Sequence, residues 1–166
     1  MALLSPSPYS PARQGIVLAA LVLLCLAVGW LGSLVTTPAV RDWYPTLRLP
    51  DWRPPNAAFP IVWTLLYILM GLGAWLVWRK VPLAQARGAL AIFALQLAVN
   101  FAWSFLFFGA QSPLLGLIDI ALLVVLILLM LAAFWRIERL AALINLPYLA
   151  WVGFATLLNA WIYAEN

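Results

Sequence analysis

The 166-residue sequence contains no histidine and only one cysteine, Cys25. Histidine is the usual general base and the commonest metal ligand, so catalytic triads and metal sites that depend on it are excluded. A single cysteine can form neither an intramolecular disulfide nor a multi-cysteine metal site. The sequence therefore predicts no metal centre and no required cofactor.

Charge is also scarce. Only 8% of the residues are charged, against about 25% in soluble domains, and 67% are hydrophobic. The net charge of +4 is small and the basic residues are scattered, which argues against a nucleic-acid partner. This composition indicates an integral membrane protein. We expect an N-terminal tail (1–15) followed by a single domain (16–166).

Five apolar runs approach or exceed the length of about 20 residues that a helix needs to cross a bilayer. They span approximately 16–36, 58–78, 89–108, 114–135 and 143–163. The runs lack the alternation of barrel strands, and the first is too long for the apolar region of a signal peptide. The predicted fold is an all-α membrane bundle of five transmembrane helices, with a long loop rich in proline and tryptophan between helices 1 and 2.

Lysine and arginine are distributed unequally between the two ends of such a bundle. The end with the N-terminus and the second and fourth loops holds Arg13, Arg79, Lys80, Arg87, Arg136 and Arg139. The opposite end holds Arg41, Arg48 and Arg53. The positive-inside rule then predicts a cytoplasmic N-terminus in a bacterial membrane.

The predicted third helix has two opposed faces. Small residues at Ala94, Ala98 and Ala102 are typical of close helix packing, so we expect a homodimer through this stripe. Packing within the monomer is the alternative. The opposite face carries Gln96, Asn100 and Trp103. An amide inside a membrane needs a partner, which is either another helix or a ligand.

Two further helices carry aromatic and polar residues at helical spacing. The stripes are Trp63, Tyr67, Met70 and Ala74 on the second helix, and Tyr148, Trp151, Ala155 and Asn159 on the fifth. Such stripes belong to a core more often than to a binding site. Asp119 lies within the fourth span, and we expect a structural or interfacial role for it rather than a functional one.

The stretch WYPTLRLPDWRPP at 43–55 places four prolines, two tryptophans and a tyrosine in the first loop. Proline fixes φ, so the loop is semi-rigid and loses little entropy when it closes over a guest. Arg41, Arg48 and Arg53 offer cations for the carboxylates of a ligand. The alternative is a loop that only lies on the membrane surface.

Three blocks of sequence carry a family resemblance. They are WYPTLRLPDWRPPNAAFPIVWTLLY (43–67), QLAVNFAWSFLFFG (96–109) and PYLAWVGFATLLN (147–159). With these blocks the chain resembles the TspO/translocator protein family, the tryptophan-rich sensory proteins. The resemblance implies a five-helix bundle whose pocket is lidded by the first loop and binds porphyrins, notably protoporphyrin IX, as well as sterols and isoquinoline carboxamides. The residues it implies at the pocket are Tyr44, Pro54, Pro55, Trp63, Tyr67, Asn100, Trp103, Trp151 and Ala155.

The chain departs from the family pattern at two places. Leu49 stands where the family usually has a lysine before a loop proline. Tyr163 is followed by Ala164, Glu165 and Asn166, so the basic residue of the C-terminal sterol motif is absent. Sterol binding through that motif is therefore not expected.

The sequence favours a membrane receptor or binding protein for porphyrins, involved in tetrapyrrole sensing or regulation. Free protoporphyrin IX should suit the protein at least as well as haem, since histidine is unavailable to ligate iron. One alternative is an enzyme that degrades porphyrin in light, with Trp63 and Trp151 as electron donors. A second alternative is a translocator of porphyrin or sterol-like lipids.

Overall fold

The computed structural model describes residues 7–166, and this part of the chain consists of helices joined by short connections. The helices are α1 (Pro11–Asp42), α2 (Ala58–Lys80), α3 (Leu83–Trp103), α4 (Pro113–Ile137), α5 (Arg139–Leu143) and α6 (Leu146–Glu165). A short 3₁₀ helix covers Tyr44–Thr46, and α3 continues into a π-helical segment, Ser104–Gly109. Five stretches are long and apolar enough to cross a membrane, which confirms the predicted fold class.

The first helix is longer than the predicted 16–36. Ser10 caps its N-terminus by accepting a hydrogen bond from the amide of Arg13, and the helix continues through Pro38 to Asp42. A proline usually ends a helix, but transmembrane helices tolerate one because neighbouring groups satisfy the freed backbone. Part of the predicted tail (1–15) is therefore helical, and residues 1–6 lie outside the described part of the chain.

The fifth span begins at Arg139, before the predicted 143, and a turn interrupts it between α5 and α6. Asn145 lies in this turn and is fully buried. Its side-chain amide donates to the carbonyl of Ala141, and its backbone carbonyl accepts from the amide of Tyr148. These bonds satisfy backbone groups where the helix is interrupted just before Pro147.

The connections gather at the two ends of the bundle as predicted. At one end the Tyr9 ring stacks on Trp78 at 4.0 Å, and Lys80 pairs with Glu138 at 3.0 Å. At the other end, called here the loop end, the amide of Arg48 donates to the side chain of Asn166 at 2.9 Å. The N-terminal segment thus shares an end with the second and fourth connections.

A cavity among the helices

A cavity of about 570 Å³ lies towards the loop end, enclosed by α1, α2, α3 with its π-helical segment, α4 and α6. This volume is within the range of about 300–1,000 Å³ that is typical of small-molecule sites. Two clusters of buried apolar side chains meet around it, one in the middle of the bundle and one beneath the long loop. The cavity is therefore a gap between two packed cores.

Nine of the described residues that line the cavity are aromatic. They are Trp30, Tyr44, Phe59, Trp63, Tyr67, Trp103, Phe107, Phe108 and Trp151. Many of these rings support one another: Trp103 stacks on Phe107 at 4.9 Å, and Phe59 meets Trp151 edge-on at 5.7 Å. Such a wall suits a broad apolar guest, because aromatic faces combine large contact area with defined geometry.

A buried hydrogen-bond network lies beneath the cavity. The hydroxyl of Tyr67 donates to Oδ1 of Asn100 at 2.7 Å, and Nδ2 of Asn100 donates to the hydroxyl of Tyr148 at 3.2 Å. Tyr148 in turn donates to Oε1 of Gln96 at 2.8 Å. The amide of Asn100 thus finds its partners on other helices. Because the network is fully buried, it fixes the orientation of the Tyr67 ring at the cavity wall.

A second asparagine ties the cavity wall to α4. Asn159 accepts a hydrogen bond from the indole N–H of Trp103 at 3.3 Å and donates to the carbonyl of Pro113 at 2.8 Å. The indole N–H of Trp151 is buried and has no hydrogen-bond partner among residues 7–166. Leaving a buried donor without a hydrogen bond is costly. Trp151 is therefore a lining residue whose N–H group is free to donate to a ligand.

The cavity opens to the outside between α1 and α2. Its exposed lining residues belong to α1, the end of the loop and the start of α2, and they are Trp30, Ser33, Thr37, Arg41, Asn56, Pro60 and Thr64. The lining residues from α3, α4 and α6 are buried or half-buried. The mouth therefore faces sideways near the loop end, and it carries hydroxyl groups and one guanidinium.

The structure brings together most of the sequence-predicted pocket residues. Tyr44, Trp63, Tyr67, Asn100, Trp103, Trp151 and Ala155 all line the cavity. Pro54 and Pro55 do not. The carbonyl of Pro55 accepts the amide of Ala58 as α2 begins, so this proline pair shapes the entry to the helix instead.

The three candidate arginines are separated. Arg41 lines the cavity mouth, whereas Arg48 and Arg53 lie outside the lining. The guanidinium of Arg53 donates to the side chain of Asn56 at 2.9 Å, and the backbone of Arg48 is held by Asn166. Of the three candidates, only Arg41 therefore belongs to the lining, because the loop packs on α6 between Tyr44 and Asn56. A role for Arg48 and Arg53 in binding carboxylates stays a prediction.

The loop reaches the cavity mainly through Tyr44, which is buried. Burial raises the pKa of the Tyr44 hydroxyl above its ordinary value, and the positive charge of Arg53 offsets part of that rise. The hydroxyl is therefore protonated at neutral pH and can donate a hydrogen bond. Trp52 packs edge-on against Phe154 of α6 at 5.8 Å and holds the middle of the loop in place.

The first helix, α1, also contributes to the cavity, which the sequence did not predict. Gly29, Gly32, Thr36 and Val40 lie on one face of this helix and line the cavity. Their spacing of three or four residues places them on one face of the helix, and this pattern could have predicted a face of small and hydroxylated residues. A Cβ at Gly29 would overlap the ring of Tyr67, so glycine is what allows α1 to approach the aromatic wall there.

Other candidate residues lie away from the cavity lining. Asp119 is 8% exposed, and its Oδ2 has no hydrogen-bond partner within the described chain. Cys25 is fully buried in the core. Ala94 and Ala98 are exposed on the outer side of α3 and Ala102 is half-buried, so the small-residue stripe faces away from Gln96 and Asn100.

Comparison with known proteins agrees with this architecture. Residues 21–164 match the sequence model of the TspO/MBR family. The chain is 44% identical over 158 residues to a tryptophan-rich protein TspO of Chlorobaculum tepidum, covering 93% of this chain and 98% of the relative. It is 41% identical to the protein of that name from Archaeoglobus fulgidus, covering 90% of this chain and 96% of the relative. It is 36% identical over 126 residues to the translocator protein of Homo sapiens, covering 75% of each chain. The chain is thus a multi-pass integral membrane protein and belongs to the TspO/MBR family.

Proposed function

We propose that this protein is a receptor or binding protein for porphyrins, with protoporphyrin IX as the reference ligand and the cavity as its site. The observation that carries the proposal is the cavity itself. Among the described residues, nine aromatic side chains line about 570 Å³, and one guanidinium, that of Arg41, belongs to the lining. A porphyrin matches both features, because its plane is broad and apolar and its propionates are anionic. We expect the plane among Trp63, Trp103 and Trp151, with the propionates directed towards Arg41.

Arg41 provides the means to test the orientation. A charge-assisted hydrogen bond contributes about 1.5–3 kcal/mol, and Arg41 is exposed, so we place its contribution near the lower limit. Arg41→Gln should therefore weaken the binding of protoporphyrin IX about tenfold, while the neutral dimethyl ester loses much less. Arg48→Gln is the matched control, because its side chain lies outside the cavity lining.

Titration of the purified protein, followed by quenching of tryptophan fluorescence, measures these affinities. Added salt should reproduce the Arg41→Gln effect on the acid and leave the ester unaffected. Equal losses for acid and ester in Arg41→Gln would contradict the proposed orientation. Absence of saturable binding of either compound to the wild-type protein would contradict the proposed function.

Light-dependent porphyrin degradation is a second candidate function, because two tryptophans of different helices, Trp63 and Trp151, both line the cavity. Each could donate an electron to an excited macrocycle held between them. Illumination should then bleach bound porphyrin faster in the wild-type protein than in Trp63→Phe or Trp151→Phe at equal occupancy. Equal bleaching rates would leave binding as the function of the site.

A further inference from the structure

A second cleft, of about 430 Å³, lies at the opposite end of the bundle from the cavity mouth. It is formed where α2 ends beside the junction of α4 and α5, and its lining residues are Lys80, Trp135, Arg136, Ile137, Glu138 and Arg139. No residue of this cleft lines the aromatic cavity. It is thus a separate feature of the molecule.

The cleft carries more positive than negative charge, and its one carboxylate is already engaged. Oε2 of Glu138 pairs with Lys80 at 3.0 Å, and Oε1 accepts the amide of Leu140 at 3.2 Å. Arg136 and Arg139 therefore have no carboxylate partner within residues 7–166. Two guanidinium groups in one cleft can hold a phosphodiester through charge-assisted hydrogen bonds.

Trp135 positions one of these cations. The guanidinium of Arg139 lies over the Trp135 ring, 5.4 Å from its centroid, where the ring attracts it. Trp135 as a whole is 48% exposed. A tryptophan exposed at the end of a transmembrane helix is typical of the headgroup region of a bilayer.

The surface beside the cleft is apolar and faces outward. Leu140 and Leu143 of α5 are exposed, as are Leu128 and Leu129 further along α4. A ligand whose phosphate binds in the cleft could therefore place its apolar part against these exposed leucines. Basic pockets between transmembrane helices are typical sites for anionic lipid headgroups.

We propose that this cleft binds the headgroup of an anionic phospholipid. The phosphate lies between Arg136 and Arg139, and the acyl chains follow the exposed leucines of α4 and α5. Zwitterionic lipids bind less well, because their own cation adds to the excess of positive charge in the cleft.

Native mass spectrometry of the full chain in detergent, with added phosphatidylglycerol or phosphatidylcholine, tests this proposal. We expect phosphatidylglycerol to bind in preference to phosphatidylcholine. Arg136→Gln and Arg139→Gln should each weaken phosphatidylglycerol binding about tenfold, since each removes a charge-assisted contact. Arg87→Gln is the matched control, because it removes an exposed cation outside the cleft at the same end of the bundle.

Three outcomes would overturn the proposal. One is equal binding of the two lipids by the wild-type protein. Another is a loss in Arg87→Gln as large as in the cleft variants, which would indicate attraction by overall charge. The third is complete displacement of the lipid by inorganic phosphate at an ionic strength matched with chloride, which would indicate a site for a free anion.

Discussion

Trp63 and Trp151 approach the cavity from different helices, α2 and α6, and each rests on an aromatic neighbour. The Trp63 ring lies 5.6 Å from that of Tyr67, and the Trp151 ring lies 5.7 Å from that of Phe59. The buried network beneath Tyr67 fixes the first of these pairs. Both indoles are therefore held in position before any ligand arrives, which reduces the entropy lost on binding.

This arrangement predicts the effect of conservative changes at the two tryptophans. Trp63→Phe and Trp151→Phe should each weaken protoporphyrin IX binding by about 0.5–1.5 kcal/mol, which corresponds to about 2- to 12-fold, because phenylalanine keeps an aromatic face of smaller area. Trp135→Phe, in the distant cleft, should leave this affinity unchanged. Fluorescence titration of the three variants measures the difference. Unchanged affinity in both cavity variants would place the porphyrin elsewhere.

Helices α1 and α2 are in close contact on the side of the cavity away from the loop end. Nearer the loop end, the mouth of the cavity opens between them. The close contact occurs at Gly71, where an added Cβ would lie 2.7 Å from the Cα of Val22. Ser33 of α1 and Thr64 of α2, by contrast, are exposed at the mouth. The packing of α1 on α2 is therefore tight at Gly71, and a larger residue there would meet the α1 backbone.

Gly71→Ala should destabilise the protein, because a methyl group there must push the α1 backbone away. Such overpacking typically costs about 1–3 kcal/mol. Gly88→Ala is the matched control, since a Cβ at Gly88 meets nothing within 4 Å and alanine has the higher helix propensity. Thermal unfolding in detergent should show a lower midpoint for Gly71→Ala only. Equal midpoints would show that the helices adjust without cost.

A helix is predictable from the sequence when the residues that define it are local in the chain, and less so when contacts with distant residues decide its ends. Apolar runs of sufficient length identified all five spans, because the bilayer imposes this requirement on each helix separately. The ends of α1 were missed because the prediction followed the apolar run alone, whereas the helix continues past that run through Pro38 to Asp42. The π-helical segment Ser104–Gly109, which places Phe107 and Phe108 at the cavity, has no local sequence signal.

The pocket residues were predicted from the family resemblance. Trp63, Tyr67, Trp151 and Ala155 also recur at helical spacing, but that pattern alone is more typical of a core, and the structure places all four at the cavity. The loop was less predictable, since its path depends on distant partners. Asn166 holds the backbone of Arg48 at both its amide and its carbonyl, and this contact across 118 residues directs the arginine away from the cavity. The family resemblance predicted the pocket residues of the helices, but the conformation of the loop determines which loop residues line the cavity.

Ala94 and Ala98 are exposed on the outer side of α3, where a second copy of the protein can contact them. The homodimer through α3 stays a prediction. Small residues allow two helix backbones to approach closely, so Ala98→Leu should weaken the dimer. Ala132→Leu, at an exposed position on α4, is the control. Light scattering and cross-linking in detergent report the oligomeric state. An identical dimer in both variants would show that the alanine stripe does not form the dimer contact.

The positions of the chain ends and connections also predict topology in the membrane. We expect the end with the N-terminal segment to face the cytoplasm, because it carries six of the nine Lys and Arg residues. Arg48→Cys and Ala84→Cys place thiols at exposed positions at opposite ends, while the native Cys25 is buried. An impermeant reagent added to sealed spheroplasts should label the first and not the second. Labelling of both from the same side would contradict the topology.

Whether the aromatic cavity holds a porphyrin is tested most directly by the structure of the complex with protoporphyrin IX. We expect the macrocycle among α1, α2, α3 and α6, in contact with Trp63, Trp103 and Trp151, with a propionate near Arg41 at the mouth between α1 and α2. A macrocycle bound on the outer surface of the bundle, with the cavity unchanged, would rule out the cavity as the porphyrin site.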